Sequence, residues 1–211
     1  MKIIDCLVRQ LKDPCQIVAA QRLLYSIYCM ELNWQLDQSN PSNLAVEDGA
    51  LVDDYDRQGL SIWYGVFDQK KPSEIVATGR VLHRDSAGCL ELARYAIPSE
   101  LRQLLASNQH VVEINRSCIK KSYRRTNVWA WLLHAGFEYA VKNHLEIVST
   151  TAVPKVQAMH DNIGFSETDY QFKYDQRDDQ PVKVYWATAN ESVSIAKKLE
   201  GIACPSPHSK L

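Results

Sequence analysis

The chain has 211 residues, 24 Lys and Arg against 25 Asp and Glu, a formal net charge of −1 and 45% hydrophobic composition. That length and apolar content suffice to bury a sizeable core, and they exclude an intrinsically disordered chain. A net charge near zero supplies no global field for nucleic acid or an anionic membrane, so any charged partner must be met by a local patch. The apolar runs, such as residues 17–20 and 129–133, fall far short of the roughly 20 residues a transmembrane helix needs. Six scattered cysteines form no Cys-x-x-Cys pair and have no histidine at ligand spacing. This argues against a metal site and for reduced thiols in a cytoplasm. Met1 to Asp5 carry charge where a signal peptide would be apolar, so no secretion signal is read there. The final Ser209-Lys210-Leu211 matches a peroxisomal address and is read as coincidence.

In chain order, Lys2 to Val8 reads as a first strand. Asp13-Pro14 is a helix start, with a capping carboxylate before a first-turn proline. Ile17, Leu24, Ile27 and Tyr28 then recur at helical spacing to about Leu32, placing Arg22 on the flank of the apolar stripe. Residues 33–59 lose all periodicity and end in Asp53-Asp54-Tyr55-Asp56, which reads as a long functional loop. Leu60 to Asp68 and Ser73 to His83 form a predicted hairpin across Gln69-Lys70-Lys71-Pro72, with Leu90 to Tyr95 pairing beside it. A helix over Pro98–Ala106, a strand over Val111–Ile119, a helix over Val128–Asn143 and a strand over Leu145–Val153 follow. Pro154 to Asn162 reads as a helix stopped by Gly164. Tyr170–Tyr174 and Val182–Ala187 make a last hairpin across residues 175–181. Residues 1–190 are read as one domain and residues 191–211 as a partly disordered tail. The order of elements predicts an α+β fold, a sandwich around a mixed sheet.

Chemistry concentrates between residues 111 and 127. Lys120, Lys121, Arg124 and Arg125 put four cations within six residues, between a strand and a helix start whose unpaired N–H groups and dipole favour phosphate. A solvated basic loop is the plainer alternative. Glu113 lies in an otherwise apolar strand, where a carboxylate is expensive to bury unless paired or functional. Alternation puts Glu113 and Arg116 on opposite faces, so both reach one site only through a β-bulge. A structural ion pair remains the alternative to catalysis.

These residues carry a family resemblance. Glu113 to Phe165, as strand, basic turn, long helix, strand and a helix ending in Gly-Phe, resembles the core of the GCN5-related N-acyltransferase fold, an α/β/α sandwich with a mostly antiparallel sheet. Its pyrophosphate turn, Q/R-x-x-G-x-G/A, maps onto Arg124 to Trp129, with Asn127 and Trp129 in place of the glycines. The family's thiolate-protonating tyrosine falls at His160, which otherwise reads as a partly exposed helix residue. Arg22, Trp34, Asp53, Asp56, Arg80, Glu113 and Arg116 occur in the order seen in acyl-homoserine lactone synthases and long-chain N-acyl amino acid synthases, a match over roughly the first 165 residues.

The resemblance implies a fatty-acyl N-acyltransferase without a metal or a tightly bound cofactor. Acyl-carrier protein, in preference to acyl-coenzyme A, would supply an acyl-phosphopantetheine thioester at Lys120, Lys121, Arg124, Arg125 and Asn127. Arg22, Trp34, Asp53, Asp56, Arg80 and Arg116 would form the substrate side, and Thr150 and Thr151 would face either the acyl chain or the core. Glu113 would be the base and His160 the acid. A carboxylate at its usual pKa of about 4.3 is a poor base for an amine near 8, so Arg116 is expected to face the substrate or the loop aspartates rather than Glu113. An amino acid is the first choice of acceptor. The alternatives are an autoinducer synthase using S-adenosylmethionine and a catalytically silent acyl or carrier-protein binding module.

Overall fold

The computed structural model describes residues 1–36, 40–174 and 180–204. A strand β1 (Cys6–Gln10) leads to helix α1 (Pro14–Tyr25), where the Asp13 carboxylate accepts from the Cys15 N–H and Pro14 occupies the first turn. The helix then widens into a π-helical stretch, Ser26–Glu31. Residues 40–59 are not the structureless loop the sequence suggested. They hold a small hairpin, β2 (Ala45–Glu47) and β3 (Ala50–Val52), and a one-turn helix α2 (Asp54–Arg57). Asp53 and Asp56 close a reciprocal capping box at the start of that turn, so local backbone bonding rather than apolar periodicity orders it.

β4 (Ser61–Asp68) and β5 (Ile75–Leu82) form the expected hairpin. Leu90 to Tyr95 is not a strand. Glu91–Arg94 is a 3-10 turn, with Leu90 and Leu92 buried on one side and the Glu91 carboxylate buried by ion pairs. There follow α3 (Ser99–Ser107), β6 (Val111–Ile119), α4 (Val128–Lys142), β7 (Glu146–Thr151), α5 (Pro154–Ile163), β8 (Ser166–Phe172) and β9 (Val182–Ala187). Gly164 ends α5 with φ +83°, the left-handed turn that glycine adopts without a Cβ penalty. The last element, α6 (Ala189–Ala203), occupies most of what reads as a tail. Thr188 and Glu191 cap its start, and it buries Ile195, Leu199 and Ala203 against α4. Residues 209–211, whose match to an address was read as coincidence, lie outside the described residues.

Seven strands form one sheet in the order β1-β4-β5-β6-β7-β9-β8. Only β6 and β7 run parallel; the other neighbours are antiparallel. Val81, Val112 and Ile114 face α4 and α6 on one side, while Trp63, Phe67 and Cys118 face α1 on the other. The mixed, mostly antiparallel sandwich predicted from the sequence is therefore the observed architecture.

Two irregularities in β6 position the site. First, Thr78 pairs with Cys118 but Arg80 pairs with Asn115, so β6 carries one extra residue opposite Gly79. Arg116 has φ +53° at this bulge, and a Cβ on Gly79 would meet Ser117 Oγ at 2.8 Å. The bulge reverses the alternation, which puts Glu113 and Arg116 on the same face. Second, the parallel pairing ends at Ile114 and Ser149, although β6 continues to Ile119 and β7 to Thr151. The two strands thus part just beyond Glu113.

Candidate active site

A closed ionic network fills the face of the sheet beside this parting. Arg80 is 1% exposed and every nitrogen of its guanidinium donates. Nε bonds Asn115 Oδ1 at 2.7 Å; Nη1 bonds Asp53 at 2.9 Å, Asp56 at 3.1 Å and Ser61 Oγ at 3.1 Å; Nη2 bonds Asp53 at 2.6 Å and Glu91 at 2.7 Å. Asp56 also accepts from Trp63 Nε1 at 3.0 Å. Burial opposes the charge on Arg80, but Asp53, Glu91 and Asp56 outweigh it and hold the group protonated. Burial likewise works to raise the Asp53 pKa, and Arg80 and Arg116 bring it below the usual carboxylate range. Arg80 therefore ties the Asp53–Asp56 turn to the sheet, and its fork is not open to a substrate carboxylate.

Arg116 donates from Nη2 to Glu91 and lies 3.6 Å from Asp53 Oδ2, with its Cζ 5.9 Å from the Trp34 ring centroid. Its Nε is buried without a partner. As the sequence argument required, Arg116 is not paired with Glu113.

Glu113 is 3% exposed. Its Oε2 accepts from the Leu92 N–H at 2.9 Å and its Oε1 from Asn115 Nδ2 at 2.9 Å. Burial, and then the nearby Glu91 charge, push its pKa up to about 7, against the lowering effect of those two donors and Arg80. Two guanidinium groups face the four carboxylates of Asp53, Asp56, Glu91 and Glu113 in this network. The excess of buried carboxylate favours a proton on the one lacking a direct cationic partner.

An aromatic wall borders the network. Tyr95 and Tyr174 meet edge to face at 4.8 Å, Tyr174 meets Phe172 at 5.0 Å, and its hydroxyl lies 2.5 Å from Thr150 Oγ1. Tyr28 packs against Trp34 at 5.5 Å and donates to the Ser117 carbonyl at 3.1 Å, beyond the bulge. Trp34 is 41% and Tyr174 44% exposed, so both stand at the open side. Arg22 lies outside the network, exposed, and bonds the Asp48 carbonyl at 3.3 Å.

The remaining sequence candidates divide. Lys121 and Arg125 are exposed on the basic turn. Lys120 pairs with Glu74 at 2.6 Å, and Arg124 forks onto Glu31 of the π-helical stretch. A cavity of about 560 Å³ lies here, lined by Leu23, Ser26, Ile27, Glu31, Lys120, Lys121 and Ser122. Asn127 faces inward: it accepts from the Ile4 N–H at 2.8 Å and donates to the Ile4 and Ala203 carbonyls at 3.0 and 2.8 Å. It ties the N-terminal segment and α6 to the turn and has no amide hydrogen left for a donor. The Asn127 N–H bonds the Lys2 carbonyl at 3.3 Å and the Val128 N–H bonds Thr126 Oγ1 at 3.3 Å, so these turn amides do not form an open phosphate cradle.

His160 also departs from expectation. It is 3% exposed, 5.1 Å from the Phe165 ring and 4.6 Å from Tyr185, with Nδ1 unpartnered. Burial pushes its pKa down to about 4, so it is a neutral core ring near pH 7 rather than a partly exposed proton donor. Conversely, sequence reasoning missed Glu91, Asn115, Ser42 and the Leu92 amide. A lone carboxylate between Leu90 and Leu92 was the available signal.

The family model described as "N-acyl amino acid synthase FeeM" matches residues 19–187, which includes every residue of the network. The chain belongs to the N-acyl amino acid synthase FeeM family. Among curated proteins, this FeeM-family chain is 27% identical over 153 residues to L-ornithine N(alpha)-acyltransferase of Rhodobacter capsulatus, covering 67% of this chain and 53% of the relative. It spans about half the length of that relative. The structure of FeeM, an N-acyl amino acid synthase from uncultured soil microbes, superposes with a TM-score of 0.67 at 16% identity over 90% of this chain and 94% of that one. BjaI, a CoA-dependent acyl-homoserine lactone synthase solved with SAM and isopentyl-CoA, gives 0.63 at 13% identity over 96% and 92%. Escherichia coli ElaA gives 0.55 at 14% identity over 87% and 99%. At these identities the structural likenesses establish a shared fold. Among the described residues no helix is long and apolar enough to cross a membrane, and no group of three or more His, Cys, Asp or Glu is placed to hold a metal ion.

Proposed function

We propose that this member of the FeeM family is an N-acyltransferase that moves a fatty acyl group from an acyl-carrier protein thioester to the amino group of an amino acid. The observation that carries the reading is Glu113, a buried carboxyl group with a pKa near 7, at the place where β6 and β7 part. Family membership and the amino acid acceptor in the name of the Rhodobacter capsulatus relative support the same class.

In the proposed reaction the ammonium of the acceptor gives one proton to ionised Glu113, directly or through water. The amine nitrogen attacks the thioester carbonyl carbon, the C–N bond forms, the C–S bond breaks, and the departing pantetheine thiolate takes up the second proton shed by the nitrogen, while Glu113 returns the first to solvent. Moving the base from its ordinary 4.5 to about 7 removes roughly 3 kcal/mol of the uphill transfer from an amine of pKa about 8 or above. Orientation of the two reactants supplies much of the rest. Arg116, whose Nε has no protein partner, is the group proposed to meet the acceptor carboxylate, with Trp34 and Arg22 on the same substrate side. Asp53, Asp56 and Arg80 shape that side as a rigid wall.

A carrier protein is preferred to free coenzyme A because Asn127 and Trp129 replace the turn glycines and the Asn127 and Val128 amides are engaged internally. The exposed Lys121 and Arg125 suit an acidic carrier, while Lys120 and Lys121 line the adjoining cavity and Arg124 holds its Glu31 wall. Expression in a bacterial host, with mass spectrometry of extracted lipids, tests the reading. N-acyl amino acids present with the wild type and absent with Glu113→Gln support it. Homoserine lactones would point to autoinducer synthesis, and an unchanged lipid profile to a silent binding module.

A further inference from the structure

Glu91 has no role in the reaction as set out above, yet it is the most heavily bonded carboxylate of the network. Its Oε1 accepts from Ser42 Oγ at 2.9 Å and from Arg116 Nη2, and its Oε2 from Arg80 Nη2 at 2.7 Å and Asn115 Nδ2 at 2.8 Å. Two donors on each oxygen fill the acceptor capacity of an ionised carboxylate. The same 3-10 turn sends the Leu92 N–H to Glu113 Oε2 at 2.9 Å, and the same Asn115 amide reaches Glu113 Oε1 at 2.9 Å. The turn thus touches Glu113 on both oxygens, once directly and once through Asn115.

We propose that Glu91 is a positioning residue for the reaction: it holds Arg80 and Arg116 and one hydrogen of the Asn115 amide, so that Glu113 stands near Arg80 and on the same strand face as Arg116 without an ion pair to either. This rests on the acyltransferase reading for its catalytic meaning, but the geometry it invokes exists without substrate. Glu91 takes the contacts with both guanidinium groups, and its nearby charge works to raise the Glu113 pKa. Two carboxylates a few residues apart in space are thereby given opposite tasks by their surroundings. The other groups facing Glu113 do not reverse this balance. Arg80 on β5 is spent on Asp53, Asp56, Glu91, Ser61 and Asn115, and Arg116 on β6 is turned to Glu91 and Asp53. Tyr55 from α2 and Tyr95 after the turn are kept neutral by burial, and the Tyr174 hydroxyl after β8 is bonded to Thr150.

The test is the titration of Glu113 in full-length Glu91→Gln, read without substrate by NMR of 13C-labelled glutamate carboxyl groups, with the Glu113 signal assigned by its loss in Glu113→Gln. The expected midpoint falls by at least about one unit from that of the wild type, because a like charge is gone and Arg116 is released. In acyl transfer, the acidic limb of the kcat profile should move by the same amount while KM for the acyl donor stays within about twofold. If Glu91→Gln does not fold, Glu91→Gln/Arg116→Gln removes one charge of each sign and is read in the same way, again with a lowered midpoint expected. A midpoint unchanged from wild type in whichever variant folds would overturn the proposal and leave Glu91 a purely structural ion-pair partner. A wild type with no transferase activity would refute the function above without touching this titration.

Discussion

Glu91 and Glu113 share the two hydrogens of a single amide, that of Asn115, at 2.8 and 2.9 Å. Only Glu91 is also bonded to the guanidinium groups. The difference is created by the bulge at Arg116, which brings the arginine onto the Glu113 face but far enough along the strand to meet the 3-10 turn instead.

A buried acid with a raised pKa weakens the fold as it ionises. The folded protein binds the Glu113 proton more tightly than the unfolded chain does, so the contribution of Glu113 to stability is greatest below pH 4.5 and is lost as pH rises through about 7. The full difference is about 3 kcal/mol. Glu113→Gln removes this titration, and its melting temperature relative to wild type should rise between pH 5 and pH 8 by roughly 5–10 °C. Paired thermal melts at the two pH values check it.

His160 gives the opposite slope. Its pKa is depressed from 6.5 to about 4 by burial, so its contribution is complete above pH 6.5 and is lost as pH falls through 4. His160→Phe keeps a ring between Phe165 and Tyr185 and removes the unpartnered Nδ1. Denaturant titrations should show the variant gaining on wild type at pH 4.5 relative to pH 7.5, while acyl transfer at pH 7.5 stays within about threefold. A loss of a hundredfold or more would restore His160 as the acid.

Removing Arg80 leaves the buried Asp56 without a cationic partner and Asp53 and Glu91 with Arg116 alone. Arg80→Met should lower stability by about 3–5 kcal/mol. Arg80→Lys should also be damaging, because one ammonium cannot reproduce a fork with partners on all three nitrogens. Equilibrium urea unfolding distinguishes these from a surface arginine such as Arg22, whose replacement by alanine should fall within about 0.5 kcal/mol.

If the exposed turn receives an acidic carrier, Lys121→Glu/Arg125→Glu should raise KM for acyl-carrier protein severalfold, with the effect shrinking in high salt and kcat preserved. Steady-state kinetics at two ionic strengths measure this. The same pair should have little effect on the melting temperature, since both residues are exposed.

The sequence disclosed the strand–turn–helix core and the need for a bulge, because apolar alternation in Val111–Ile119 cannot otherwise bring Glu113 and Arg116 together. It also revealed Arg80 and the Asp53–Asp56 pair through their order along the chain. Long-range pairing was harder to read. Glu91 sits in a short turn without periodicity, and its meaning depends on contacts to Ser42, Arg80 and Arg116 that lie 49, 11 and 25 residues away. Asn127 resembled a phosphate contact because its position in the turn was visible and its inward rotation towards Ile4 and Ala203 was not. The α6 helix was obscured by the polar tail that follows it, although Thr188 and Glu191 had the spacing of a capping box.

In the proposed reaction Glu113 deprotonates an amine that attacks a carrier-bound acyl thioester. The most direct measurement is release of free carrier thiol from purified acyl-acyl-carrier protein, with and without added amino acids, by wild type and Glu113→Gln. Amino acid-dependent thiol release and an N-acyl product are expected with the wild type, both reduced by at least about a hundredfold in a folded Glu113→Gln. Equal rates for the two proteins, or no release with any amine, would contradict it.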